Sequence, residues 1–206
     1  MEQNAVKIKL CGMMEPKDIE AANRLKPDYI GFIFAPKSRR YVTKTQAAAM
    51  KAILNSEIQA VGVFVNEKPE VIAEYLKEGI IDVAQLHGQE DENYIQRLRN
   101  LTEKPLIQAF RIQTEEDIEK AVKSSADLIL LDAGAGGTGT SFDWNLIQSI
   151  ERPWLLAGGL YPENVAEAIR QLKPYGVDVS SGIETDGKKD PQKMERFVNE
   201  VRGLHG

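Results

Sequence analysis

The chain has 206 residues, is 42% hydrophobic over AVILMFWYC and carries a formal net charge of −5 at pH 7. That length buries a full core as one domain, while the acidic balance and the absence of a Lys/Arg block exclude a nucleic-acid or membrane-surface protein. The single cysteine, Cys11, excludes an intramolecular disulfide, and no run reaches the roughly 18 continuous apolar residues of a membrane span.

Eight strand-like runs follow in chain order, at 5–11, 28–34, 59–65, 81–87, 105–110, 127–132, 153–158 and 176–180. All are rich in Val, Ile, Leu and Phe, and several are continuous apolar runs, as strands buried on both faces require. Helical patterns lie between and after them at 16–26, 43–54, 68–78, 91–101, 114–124, 143–150, 162–173 and 190–202. Thr43, Asp91, Thr114 and Asp143 are N-cap candidates, and Pro16, Pro69, Pro162 and Pro191 stand in first turns. Met1-Glu2-Gln3-Asn4 lacks the basic and apolar regions of a signal peptide, so the expected location is cytoplasmic.

Eight βα units are the number that closes a parallel barrel, so the expected fold is α/β, a single-domain (β/α)₈ TIM barrel over residues 1–206. An open doubly wound sheet is the alternative. Two late segments favour the barrel. Leu155-Leu156-Ala157-Gly158-Gly159-Leu160 and Val177-Asp178-Val179-Ser180-Ser181-Gly182 are apolar runs that end in small residues and lead onward into helical patterns. On strands seven and eight of a barrel, such turns form the usual phosphate site, because small residues let backbone N–H groups approach an anion.

The barrel places its active face at the C-terminal ends of the strands. There the sequence offers Cys11-Gly12, Phe34 onward, Asn66, Gln85, His87, Arg111, Asp132, Gly158-Gly159 and Ser180 to Gly182. Cys11 is either a small buried hydrophobe or, as thiolate, a base able to take a proton from carbon. Asp132 ends the apolar run Leu128-Ile129-Leu130-Leu131 and leads into a glycine-rich loop instead of a helix, which favours a general acid or ligand anchor over a cap. Ala133 to Thr140 reads as a ligand-closing loop, not a dinucleotide fingerprint. Arg40, in Pro36-Lys37-Ser38-Arg39-Arg40-Tyr41, is suited to hold a carboxylate bidentately. His87 lacks companions at metal-ligand spacing, so no metal site is expected. Lys9 shares the side-chain parity of Cys11, and Asp178 lies on the strand that closes against it, which predicts a buried Lys9–Asp178 pair beneath the site.

These motifs together resemble phosphoribosylanthranilate isomerase. The resemblance is carried by Lys9-Leu10-Cys11-Gly12, Gly31-Phe32-Ile33-Phe34 with the Arg39-Arg40 loop, and Val61-Gly62-Val63-Phe64-Val65-Asn66. It continues through Gln85-Leu86-His87-Gly88, Leu131-Asp132, Gly136-Gly137-Thr138-Gly139, Phe142-Asp143-Trp144, Ala157-Gly158-Gly159-Leu160 and Asp178 to Glu184. It implies an enzyme of tryptophan biosynthesis that performs an Amadori rearrangement without metal or organic cofactor. By the same resemblance Asp132 matches the general acid, Cys11 the general base and Arg40 the ligand of the anthranilate carboxylate. Gly158, Gly159, Ser181 and Gly182 match the phosphate cradle. Gln85, His87, Gly139, Asp178 and Ser180 are the further expected substrate contacts. The implied partners are a small phosphosugar-anthranilate substrate and other tryptophan-pathway enzymes. Nearby cations and the access given by Gly12 are expected to favour the Cys11 thiolate.

Alternatives on the same scaffold are indole-glycerol-phosphate synthase, the histidine-pathway sugar isomerase, a Schiff-base aldolase using Lys9, or a non-catalytic phosphosugar-binding barrel. The synthase uses Lys and Glu groups at strand ends and the histidine-pathway enzyme an Asp at the end of strand one, so Cys11 discriminates.

Overall fold

The computed structural model describes residues 5–133 and 150–205. Its strands are β1 (Lys7–Cys11), β2 (Tyr29–Ile33), β3 (Gln59–Phe64), β4 (Val83–Leu86), β5 (Leu106–Arg111), β6 (Leu128–Asp132), β7 (Trp154–Ala157) and β8 (Gly176–Val179). They pair in sequence order, all parallel, and β8 returns to pair with β1, so the sheet is a closed barrel. The described helices are α1 (Pro16–Leu25), α2 (Lys44–Ala52), α3 (Pro69–Lys77), α4 (Glu92–Arg99), α5 (Glu115–Lys123), α6 (Pro162–Leu172) and α7 (Pro191–Arg202). The expected helix at 143–150, with its Asp143 cap, lies outside the described residues but for Ile150, which is not helical.

Strand periodicity divides the core in two. Residues of one parity (Ile8, Leu10, Ile30, Phe32, Leu131, Leu156 and Val177 among them) face outward into the layer that the helices fill with Ile19, Ile72, Leu98, Val165 and Phe197. The other parity fills the barrel with a separate cluster of Val61, Val83, Ile107, Leu128, Leu130, Leu155 and Ala157. Alternation of side chains along a strand requires this split. Its consequence for the site is direct: the last inward residues of β1, β2, β3, β4, β6, β7 and β8 meet at the C-terminal mouth.

Sequence-readable caps fix the helices to that frame. The Thr43 side chain accepts from the Gln46 backbone N–H, Asp91 from Tyr94 and Thr114 from Asp117, as helix starts demand. One element has no counterpart among the expected strands and helices. After β8 and a 3₁₀ turn (Ser181–Ile183), β9 (Glu184–Thr185) and β10 (Lys188–Lys189) form an antiparallel hairpin. Its two-residue turn is Asp186-Gly187, both with positive φ (51° and 76°), the backbone that an Asp-Gly pair favours in tight hairpins. No described helix is long and apolar enough to cross a membrane.

Candidate active site

At the C-terminal mouth lies a cavity of about 270 Å³. Inward-facing strand residues form its floor: Cys11 from β1, Ile33 from β2, Val63 from β3, Gln85 from β4, Asp132 from β6, Ala157 from β7 and Asp178 from β8. Arg40, His87, Gly158, Gly159, Leu160, Ser180 and Ser181 supply the rim. Thus the thiol and the carboxyl singled out from sequence open onto one space. Of the other strand-end candidates, Phe34 stacks on Phe64 in the outer core with ring centroids 5.1 Å apart, and Arg111 is exposed outside the cavity. Asn66 serves a turn, its side-chain oxygen accepting from the Gln89 N–H at 2.8 Å. Gly139 falls outside the described residues, as does all but Ala133 of the expected closing loop.

Beneath Cys11, Lys9 donates to Asp178 at 2.9 Å, and the two are register partners on β1 and β8. Burial works against the Lys9 charge, but the Asp178 carboxylate and the neighbouring Cys11 outweigh it and hold the ammonium above its ordinary pKa. Cys11 itself is buried, and here the structure corrects an expectation. Burial pushes its thiol above the ordinary value; Asp178 adds to the rise, and the lowering by Lys9 and Lys189 does not cancel it. That rise favours the thiol form.

On the opposite side, the Gln85 amide nitrogen stands 2.9 Å from His87 Nδ1. With that amide donating, the ring proton sits on Nε2, the nitrogen 3.8 Å from the Asp132 carboxylate. Gln85 Oε1 is the buried side-chain atom without a hydrogen-bond partner among the described residues, on a side chain that lines the cavity. A buried acceptor of this kind is costly until something donates to it.

The cation side holds a network that sequence reasoning missed. Glu184, almost fully buried, accepts from Arg40 Nε at 2.5 Å and from Arg40 Nη2 at 2.9 Å. Arg39 Nη2 at 2.9 Å and Lys189 Nζ at 2.8 Å complete its shell. Burial alone would raise the Glu184 pKa, but its bonds to Arg40 and Lys189 bring it down to about 2. Lys189 also donates to the Ser180 carbonyl at 2.9 Å, tying hairpin and β8 loop together. Gly12 makes this packing possible: at φ 82° a Cβ would stand 2.6 Å from Arg40 Cδ and 3.2 Å from Ser180 Oγ. The two small-residue turns also touch, since a Cβ on Gly182 would lie 1.9 Å from the Leu160 carbonyl oxygen. Among the described residues no group of three or more His, Cys, Asp or Glu is placed to hold a metal ion.

Comparison with known proteins places this geometry. The family model described as N-(5'-phosphoribosyl)anthranilate (PRA) isomerase matches residues 8–200. A protein of that name from a Thermoanaerobacter species is 44% identical over 205 residues, covering 97% of this chain and 99% of its own. The Clostridium acetobutylicum protein of the same name is 42% identical over 205 residues, covering 96% and 98%. Among solved structures, phosphoribosyl anthranilate isomerase from Thermotoga maritima superposes with a TM-score of 0.87 at 36% identity, over 97% of this chain and 100% of that one. A second structure of such an isomerase, in complex with reduced 1-(o-carboxyphenylamino)-1-deoxyribulose 5-phosphate, gives 0.85 at 35% identity with the same coverage. This chain belongs to the phosphoribosylanthranilate isomerase family.

Proposed function

We propose that residues 1–206 act as one catalytic domain that isomerises N-(5-phosphoribosyl)anthranilate to 1-(o-carboxyphenylamino)-1-deoxyribulose 5-phosphate, a step of tryptophan biosynthesis. The observation that carries this reading is the opening of Cys11 and Asp132 onto one cavity whose rim includes Gly158, Gly159 and Ser181. Such a site suits a phosphosugar that needs one proton given and another taken.

Asp132, as the acid, protonates the ribose ring oxygen. The C1′–O bond breaks as the anilino nitrogen supplies its lone pair, giving an open-chain iminium ion. Cys11, once deprotonated, takes the C2′ proton, and the electrons of that C–H bond neutralise the iminium to give an enolamine. Tautomerisation moves the hydroxyl proton of C2′ to C1′ and leaves the ketone, so the net change is an isomerisation without oxidant or reductant. The substrate phosphate rests on the turns at Gly158-Gly159 and Ser180 to Gly182, and the ortho-carboxylate meets Arg40. Gln85 Oε1, a buried acceptor without a partner among the described residues, takes a hydroxyl of the sugar. His87 faces the acid from its Nε2 side.

The test is a fluorescence assay of phosphoribosylanthranilate consumption by the wild type, Asp132→Asn and Cys11→Ser. Removing a general acid or base costs about 10²–10⁴-fold. Both variants should lose turnover on that scale while still binding the reduced product analogue. Near-wild-type turnover of Cys11→Ser removes the thiol as base, and a wild type without turnover removes the reading altogether.

A further inference from the structure

We propose that Glu184 is a positioning residue for substrate selection: it grips Arg40 by the Nε–Nη2 edge so that the remaining Nη1 face of the guanidinium is presented to the ortho-carboxylate of the substrate. The inference rests on the isomerase reading and assigns a residue that this reading does not use.

The geometry supports it at three points. A guanidinium has five donors in a plane and binds two carboxylates when each takes a different edge. Arg40 spends Nε and Nη2 on Glu184, and among the described residues its Nη1 has no protein partner. Arg40 lines the cavity, so its unused donors lie at the wall a ligand meets. Secondly, Glu184 is itself fixed. Lys189 and Arg39 hold its oxygens, and its carbonyl accepts from Lys193 Nζ at 2.7 Å, so the grip does not depend on Arg40 alone. Lastly, the cluster sets three cations against one carboxylate, so an arriving anion meets surplus positive charge instead of a neutral ion pair. A free arginine side chain loses rotamer entropy on binding; one already held at one edge has paid most of that cost beforehand.

A merely structural Glu184 and a positioning Glu184 differ in what they do to KM. In Glu184→Gln the anionic grip is gone and the amide nitrogen faces the guanidinium. Misplacement of a binding group by a fraction of a side-chain length costs up to about 10²-fold. KM for phosphoribosylanthranilate should therefore rise between about 10- and 100-fold with kcat much less affected. With N-(5-phosphoribosyl)aniline, which lacks the carboxylate, wild type and variant should differ little. The double variant Arg40→Ala with Glu184→Gln should bind no worse than Arg40→Ala alone, since the two act through one contact. Should Glu184→Gln fail to fold by circular dichroism, Glu184→Asp keeps the charge beside Lys189 and withdraws it from Arg40 by one methylene; the same rise in KM is expected. A wild-type KM in a folded variant, an equal loss with the aniline analogue, or additive losses in the double variant overturns the proposal. If wild-type enzyme consumes phosphoribosylanthranilate and only these outcomes fail, the isomerase reading stands and this one falls; if it consumes none, both fall.

Discussion

Replacing Lys9 by Met isolates what lies under Cys11, the proposed base. Lys9 is wholly buried and donates at 2.9 Å to Asp178, whose side chain is about 10% exposed. The barrel interior also holds an apolar cluster that includes Val61, Ile107, Leu130 and Leu155. Methionine fills nearly the same volume, so packing changes little and the cost is electrostatic: a carboxylate stays buried with no counter-ion. Breaking one partner of a buried pair costs about 3–5 kcal/mol. For a domain of this size each kcal/mol moves the melting point by about 2–4 °C, so Lys9→Met should melt about 6–20 °C lower.

The sign of the pH dependence follows. Without Lys9 the buried Asp178 carboxylate bears an uncompensated charge, so the variant is penalised at neutral pH and relieved as acid neutralises that charge. The gap to wild type should narrow as pH falls toward the unfolded aspartate value of about 4. Adding Asp178→Asn removes the second charge and should restore most of the loss. Thermal denaturation by circular dichroism between pH 4 and pH 8, values chosen around that ordinary carboxyl pKa, reads all three. A melting point within 2 °C of wild type at neutral pH, against the roughly 6 °C minimum above, refutes the pairing argument, as does a double variant no more stable than Lys9→Met.

The other perturbations address the mouth of the barrel. Arg40→Ala should raise KM by about tenfold or more for the carboxylate-bearing substrate and far less for its aniline analogue; equal losses argue against a carboxylate contact. Lys189 lowers the Cys11 pKa, so Lys189→Met should move the acidic limb of kcat/KM to higher pH, because the base then deprotonates later. A limb at the wild-type position shows that Lys189 does not act on the thiol. Gly182→Ala forces a methyl against the Leu160 carbonyl, separating the two proposed phosphate turns; it should destabilise the fold or raise KM for phosphorylated substrate, seen by melting and steady-state kinetics.

What the sequence disclosed is what alternation and local chemistry control. The eight apolar runs and the small residues after β7 and β8 gave the closed barrel. Position at the C-terminal strand ends then picked out Cys11, Gln85 and Asp132, and parity with closure of β8 on β1 made the Lys9–Asp178 contact legible. The caps at Thr43, Asp91 and Thr114 were equally local. Glu184 was hidden because its partners Arg40 and Arg39 are 144 and 145 residues away, and no period relates a hairpin to a β2 loop. A signal was nonetheless present: Asp186-Gly187 is a strong two-residue hairpin pattern, and reversing the chain there brings Lys189 back beside Glu184. The Cys11 protonation state was hidden for another reason. Its cations can be read from the sequence, but the extent of burial that outweighs them belongs to the folded mouth.

That imbalance bears on how one cavity holds an acid and a base. The charges that favour a thiolate are concentrated on the β8–β1–β2 side, where Lys9, Lys189 and Arg40 converge on Cys11 and its neighbour Gly12. On the β4–β6 side the cavity wall near Asp132 is Gln85 and His87, and Arg111 is the register partner of Asp132 on β5. A thiol beside cations loses its proton more readily than one without them, so Lys9 and Lys189 oppose the burial that raises the Cys11 pKa. A lysine introduced at Gln85 would favour the Asp132 carboxylate and suppress ring opening more than it affects proton removal by Cys11. Proton abstraction measured on a substrate deuterated at C2′ would then show a smaller isotope effect on kcat than in wild type, because ring opening becomes the slower step. An undiminished isotope effect would show that a charge at position 85 does not act on the proposed acid.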